Sequence, residues 1–162
     1  KRGGQILADI TKDRKVKSVA ITYENSDYGK GLSENVQLGL KAHGIKITAN
    51  IAHENGKADY ASEVATLASA GGDALAVLGY ADQGGKGIIQ AALDSGAFDT
   101  FILGDGMIAK SLVATFGKDL NKSFGSMPGS LGKGAAMYET VAEAGGVDAN
   151  GAFVRESYDA AA

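Results

Sequence analysis

Cysteine is absent from this 162-residue chain, and proline occurs once against 24 glycines. The first absence excludes disulfides and thiolate metal sites and leaves the redox compartment undetermined. The second means that turns are built mainly with glycine. No apolar run approaches the ~20 residues that a membrane-spanning helix needs. Basic blocks are missing too, and a net charge of −3 lacks the electrostatic footprint of a nucleic-acid binder. What remains is an ordinary globular composition, 44% apolar and 22% charged. The length suits one domain with a full core and is too short for two ordinary ones. The chain starts without methionine at Lys1-Arg2-Gly3-Gly4-Gln5 and stops in a helical pattern, Glu156-Ser157-Tyr158-Asp159-Ala160-Ala161-Ala162, with no glycine cap. Both ends read as cut, so a piece of a longer protein is expected, with any targeting segment out of view.

Helix and strand patterns alternate throughout. Ile6, Leu7 and Ile10 make an apolar stripe ahead of a first strand, Lys17 to Tyr23. Ser26 or Asp27 then caps a helix with Leu32, Val36 and Leu40 on one face, and Gly44 ends it. Ile45, Ile47, Ala49 and Ile51 alternate with more polar residues, which predicts a strand with one buried face at a sheet edge. Asp59 caps a helix with Val64, Leu67 and Ala68 inward, and Tyr60 reads as a core residue at its start. The third strand, Ala74-Leu75-Ala76-Val77-Leu78, is apolar without interruption, as a central parallel strand covered on both faces should be. A helix with Ile88, Ala92 and Leu93 leads to Thr100-Phe101-Ile102-Leu103, a short helix spans Leu112 to Phe116, and a weak fifth strand runs from Phe124 to Met127. Tyr138, Val141 and Ala142 mark one more helix.

This is an α/β pattern, and right-handed crossovers between parallel strands restrict it further. With the second strand at the edge, the simplest arrangement is a three-layer αβα sandwich around a mostly parallel sheet of order 2-1-3-4-5. The chain direction reverses between strands one and three, where a crevice opens at the carboxyl ends. Tyr28 follows strand one, Tyr80 follows strand three and Asp105 follows strand four. Two aromatic rings and one carboxylate on that rim suit a small ligand with an apolar side chain and an ammonium group.

Each candidate also has a plainer reading. In Gly104-Asp105-Gly106 the aspartate of a simple turn bonds its own backbone and a glycine takes positive φ. Tyr28 can pack over a helix start, whereas Tyr80, between Gly79 and Ala81, has fewer neighbours to pack on. Position favours the binding reading, because the two rings face one crevice. Other features carry less. Gly84-Gly85-Lys86-Gly87 has neither the spacing nor the following Ser/Thr of a P-loop. The turn Glu24-Asn25-Ser26-Asp27-Tyr28-Gly29 lacks G-x-G-x-x-G and carries two acids that would repel a pyrophosphate. His43 at a helix end and His53 in a loop lack metal-ligand spacing, and no Ser, His and Asp arrangement marks a nucleophile.

The order of motifs is similar to that of type I periplasmic binding proteins, the branched-chain amino-acid (Leu/Ile/Val) group above all. The match rests on Asn25-Ser26-Asp27-Tyr28-Gly29-Lys30-Gly31-Leu32 after a strand, Asp59-Tyr60-Ala61, Gly79-Tyr80, Gly104-Asp105-Gly106, Met127-Pro128-Gly129-Ser130 and Glu156-Ser157-Tyr158-Asp159-Ala160. That family has two Rossmann-like lobes that close on ligand about hinge strands. The resemblance implies that residues 1–162 are one α/β lobe, the second of the two, without the first lobe. It implies an extracytoplasmic solute-binding component of an ABC transporter, periplasmic or extracellular and membrane-associated. Its partners would be an amino-acid ligand, the missing lobe and a membrane permease, with no cofactor, no metal, no nucleic acid and no catalysis. By motif match Tyr28 and Tyr80 correspond to the family's aromatics and Asp105 to the acid that holds the ligand's ammonium. Two departures stand out: Ala81-Asp82 follows Tyr80 where some relatives have an aromatic and a proline, and Asp105 is one methylene shorter than the glutamate some carry. Two alternatives share the topology. One is a flavodoxin-like receiver or enzyme with Glu24 and Asp27 as an acidic Mg²⁺ or phosphoryl site. The other is the sensor lobe of a receptor or regulator.

Overall fold

The computed structural model describes residues 2–129, 140–142 and 144–146. Two compact units are present, Lys1–Ser126 and Met127–Ala162. In the first, α1 (Arg2–Asp13), β1 (Ser18–Glu24), α2 (Asp27–Ala42), β2 (Lys46–His53), α3 (Ala61–Ala70), β3 (Ala74–Leu78), α4 (Gly85–Ser95), β4 (Phe101–Leu103), α5 (Lys110–Phe116) and β5 (Phe124–Gly125) follow one another. In the second, residues 140–142 and 144 are helical, which includes Val141 and Ala142 of the expected last helix. Tyr138 of that helix, Ser130 and the segment 156–160 lie outside the described residues.

The five strands form one sheet in the order β2-β1-β3-β4-β5, and every pairing is parallel. Alternate residues of each strand feed two cores. Val19 and Ile21 of β1, with Ala74, Ala76 and Leu78 of β3, pack against Leu7 and Ala8 of α1 and Val36 and Leu40 of α2. On the opposite face Ala20, Leu75, Val77 and Phe101 meet Val64 and Leu67 of α3, Ile88 and Ala92 of α4 and Leu112 of α5. This is the expected three-layer α/β architecture, and β3 is buried at all five positions. Each large side chain sealed in these layers contributes about 1.5–3 kcal/mol of hydrophobic stabilisation.

Two details differ from the sequence reading. The inward stripe of α1 is Gly4, Leu7, Ala8 and Thr11, while Ile6 is 39% exposed. Small residues set that rotation: a Cβ on Gly4 would lie 2.7 Å from Asn35 Cβ, and one on Gly39 would lie 2.6 Å from Ala8 Cβ. The helices α1 and α2 therefore touch backbone to backbone, and Leu7 rather than Ile6 fills the space beneath. The second difference is in β2, which does lie at the sheet edge but does not bury a single face. The register shifts between Val19 and Ala20, whose partners are Ile47 and Ala49. Thr48 is the extra residue, and such a bulge reverses the facing of everything after it. Ile45 and Ile47 consequently join the α1/α2 core, whereas Ala49 and Ile51 join the α3/α4 core.

Candidate functional site

The carboxyl ends of β1, β3 and β4 bring Tyr28, Tyr80 and Asp105 together. Tyr28 is fixed by the start of α2, where the Ser26 Oγ accepts from the Gly29 N–H at 3.1 Å and satisfies a backbone donor the helix leaves open. Of the two caps expected, Ser26 holds the position and Asp27 begins the helix. Tyr80 leaves β3 in extended conformation, φ −110° and ψ 137°, with 40% of its surface exposed. Asp105 opens a short 3-10 turn, Asp105–Met107.

The Tyr28 and Tyr80 rings stack, with centroids 5.2 Å apart and planes 28° from parallel. The Tyr28 hydroxyl donates to Oδ1 of Asp105 and accepts the Gly106 N–H at 3.4 Å. Asp105 thus turns its side chain to Tyr28 rather than to the backbone of its own turn, and Gly106 does not take positive φ; neither mark of the plain-turn reading is present. Among the described residues Asp105 Oδ2 has no hydrogen-bond partner. Partial burial, and then the hydrogen bond and charge of Asp105, push the Tyr28 phenol well above the ordinary tyrosine range. Tyr28 is therefore a firm donor at neutral pH. Gly106 is closely fitted: a Cβ there would lie 2.5 Å from the Gly79 carbonyl and 2.8 Å from Tyr80 Cδ1.

Neighbouring turns brace these groups in ways no sequence motif announced. The Gly56 N–H donates to the Gln83 carbonyl at 2.8 Å, and Asn55 Nδ2 donates to Gln83 Oε1 at 3.0 Å, tying the loop after β2 to the turn that carries Tyr80. The same loop reaches the Tyr28 side, where Asn25 Nδ2 donates to Glu54 Oε1 at 2.6 Å. Tyr60 is buried as expected, and its hydroxyl donates to the Glu54 carbonyl at 2.8 Å. Tyr60 rather than Asp59 holds the N-cap position of α3, without a side-chain cap bond, and Asp59 just before it accepts the Ala61 N–H through Oδ1 at 2.9 Å. The glycines at 84–87 have a packing reason: a Cβ on Gly87 would lie 2.6 Å from the Tyr60 ring.

Two titratable residues sit elsewhere than the sequence reading put them. His53 is not in a loop. It is the last residue of β2, 2% exposed, with Nδ1 2.9 Å from Thr22 Oγ1. Glu24 is not part of the open turn but ends β1, 6% exposed and paired in register with His53. Burial of Glu24 separates it from exposed Asp27, which dissolves the acidic cluster that the receiver alternative needs. His43 caps the end of α2 and pairs with Asp9 at 2.6 Å. Among the described residues no group of three or more His, Asp or Glu side chains could hold a metal ion, and no helix is long and apolar enough to cross a membrane.

The parallel sheet of order β2-β1-β3-β4-β5 thus collects Tyr28, Tyr80 and Asp105 at its strand ends. The family model for periplasmic binding proteins matches residues 3–161, and the chain belongs to that family. Leu/Ile/Val-binding protein homolog 2 of Brucella abortus is 29% identical over 145 residues, covering 88% of this chain and 38% of that protein. The chain thus spans well under half the length of the curated relatives it matches. An extracellular ligand-binding receptor from Rhodopseudomonas palustris superposes with a TM-score of 0.82 at 20% identity, over 97% of this chain and 47% of that one. The branched-chain amino acid transporter substrate-binding protein LivJ of Streptococcus pneumoniae, in complex with isoleucine, gives 0.70 at 21% identity, over 88% and 42%. At these identities the structural likeness concerns the fold alone.

Proposed function

We propose that this chain is one lobe of a two-lobed extracytoplasmic solute-binding protein that takes an amino acid, of branched-chain or other apolar type, and presents it to an ABC-transporter permease. The observation that carries the reading is the Tyr28–Asp105 hydrogen bond beside the stacked Tyr28 and Tyr80 rings. Asp105 Oδ2 supplies an acceptor for an ammonium group, a charge-assisted bond stronger than a neutral one. The Tyr80 ring, 40% exposed, supplies an apolar face for the side chain. The Leu/Ile/Val-binding name of the curated relatives supports the ligand class.

The mechanism is binding without chemistry. The ligand docks on one lobe, and hinge closure adds the contacts of the other and excludes water. Closure is driven only by the ligand's greater affinity for the shut form. Titration calorimetry and a thermal-shift screen of amino acids on the two-lobed protein test the reading. Saturable binding of leucine, isoleucine or valine is expected, with little or none to residues 1–162 alone, because half the contacts are then missing. Tight leucine binding to the chain alone would overturn the split site, and a two-lobed protein that takes no amino acid would overturn the ligand class.

A further inference from the structure

Glu24 and His53 end adjacent parallel strands as register partners, and both are buried. Glu24 Oε2 is sealed from solvent and has no hydrogen-bond partner among the described residues. An isolated buried carboxylate is expensive, so such a group calls for a function or a counter-charge. Both side chains converge on the Cα of Gly79. A Cβ added there would stand 3.4 Å from Glu24 Oε2 and 3.4 Å from His53 Nε2. Gly79 in turn carries Tyr80, and its carbonyl is the atom that meets Gly106 beside Asp105. The pair therefore lies one residue beneath the rim, separated from it by a position that holds no side chain.

We propose that Glu24 is a specificity-determining residue whose buried carboxylate, gated by His53, places a second negative charge beneath the rim and selects ligands bearing an ammonium group over their deaminated counterparts. This rests on the reading of the rim as an amino-acid site and extends it to the source of selectivity. Through a low-dielectric layer, a charge close under the site acts on a bound cation far more strongly than it would through water. His53 controls that charge. With the imidazole neutral the carboxylate stands uncompensated, whereas an imidazolium cancels it.

The groups that face the imidazole are Thr22 and Glu24 from β1, Glu54 from its own loop, and Glu63 and Tyr60 from and beside α3. Lys57, which pairs with Glu63, is the nearby cation. Burial holds His53 below its ordinary range against the pull of the three carboxylates, so it is neutral at neutral pH.

The test uses the two-lobed protein and two probes, leucine and isocaproate, the same skeleton without the amino group. In wild type, leucine is expected to bind far more tightly than isocaproate, and Glu24→Gln is expected to lose about tenfold in leucine affinity with isocaproate unchanged or tighter. Equal loss for both probes, or none for either, would overturn the proposal. Should Glu24→Gln not fold, the pH profile decides. The leucine preference should fall in wild type as the solution is acidified below the ordinary histidine range and stay flat in His53→Gln, and parallel profiles would overturn it. A wild-type protein that takes neither probe overturns the amino-acid reading itself, a result distinct from a ratio that ignores Glu24.

Discussion

The hydroxyl of Tyr28 and the carboxylate of Asp105 meet across the end of β3: one follows β1, the other β4, and Tyr80 from the strand between them stacks on the first. The bond ties together two strand ends that are not neighbours in the sheet, so the three groups are held together by the fold itself. Asp105→Ala in the two-lobed protein should cost about 2–5 kcal/mol of leucine binding, the range for truncating one member of a charged pair. Its melting temperature should stay nearly unchanged, because Asp105 is only half-buried. Calorimetry with thermal unfolding checks this. Retained binding with a large loss of stability would return Asp105 to the role of a turn residue.

The phenol of Tyr28 gives a spectroscopic handle on the same bond. The chain has six tyrosines, and Tyr28 should remain protonated through the alkaline range in which exposed phenols ionise, read by tyrosinate absorbance. Asp105→Asn should bring Tyr28 down only part of the way, since burial is the larger cause and the carboxylate the smaller. The sign for stability follows: a phenol held neutral in the fold stabilises it below the ordinary value of 10.0 and loses that contribution as pH rises above it.

Periodicity exposed most of the scaffold, and for a physical reason. An uninterrupted apolar run such as Ala74–Leu78 fits only a strand covered on both faces, and the alternation from Ile45 to Ile51 fits an edge. Those two readings with the right-handed crossover were enough to order the sheet. Departures arose where backbone geometry or distant partners decide. The bulge at Thr48 leaves no mark in hydrophobicity, yet it swaps the faces of Ala49 and Ile51. Ile6 lost its place to Leu7 because glycine and alanine let α2 approach α1 closely. Glu24 looked like a solvated turn residue because carboxylates usually are exposed, and only its register with His53 places it inside. Tyr28, Tyr80 and Asp105 were legible as a group through their position after strands, while the struts at Asn55, Gln83 and Glu54 depend on loop conformations that no local pattern encodes.

Gly106 supplies a steric test. Gly106→Ala puts a methyl group against the Gly79 carbonyl and the Tyr80 ring, so the turn or the ring must move. Stability should fall by about 1–3 kcal/mol, as for an overpacked site, with loss of the Tyr28–Tyr80 exciton signal in the near-ultraviolet circular dichroism. Gly31→Ala is the matched control: it lies inside α2 with open space around its Cα. There alanine should raise stability by about 0.5–1 kcal/mol. Equal effects at the two positions would show that the stacked pair does not depend on Gly106.

His53 ties stability to pH in a direction that can be worked out beforehand. Burial depresses its folded-state pKa below the reference of 6.5, so the unfolded chain binds the proton more readily. Stability must then rise with pH between the folded and unfolded values: the contribution is complete above about 6.5 and is lost as the solution is acidified through that range. The melting temperature of the chain should climb as pH rises toward the reference value of 6.5 and level off above it, and His53→Gln should flatten the climb. The other histidine separates the two cases within one protein, because His43 sits in contact with Asp9 at the end of α2. The His43–Asp9 pair holds the Asp9 carboxyl below its ordinary range, so His43→Gln should leave the climb in place. A slope that follows His43 and ignores His53 would mean that the buried imidazole is not what acid attacks.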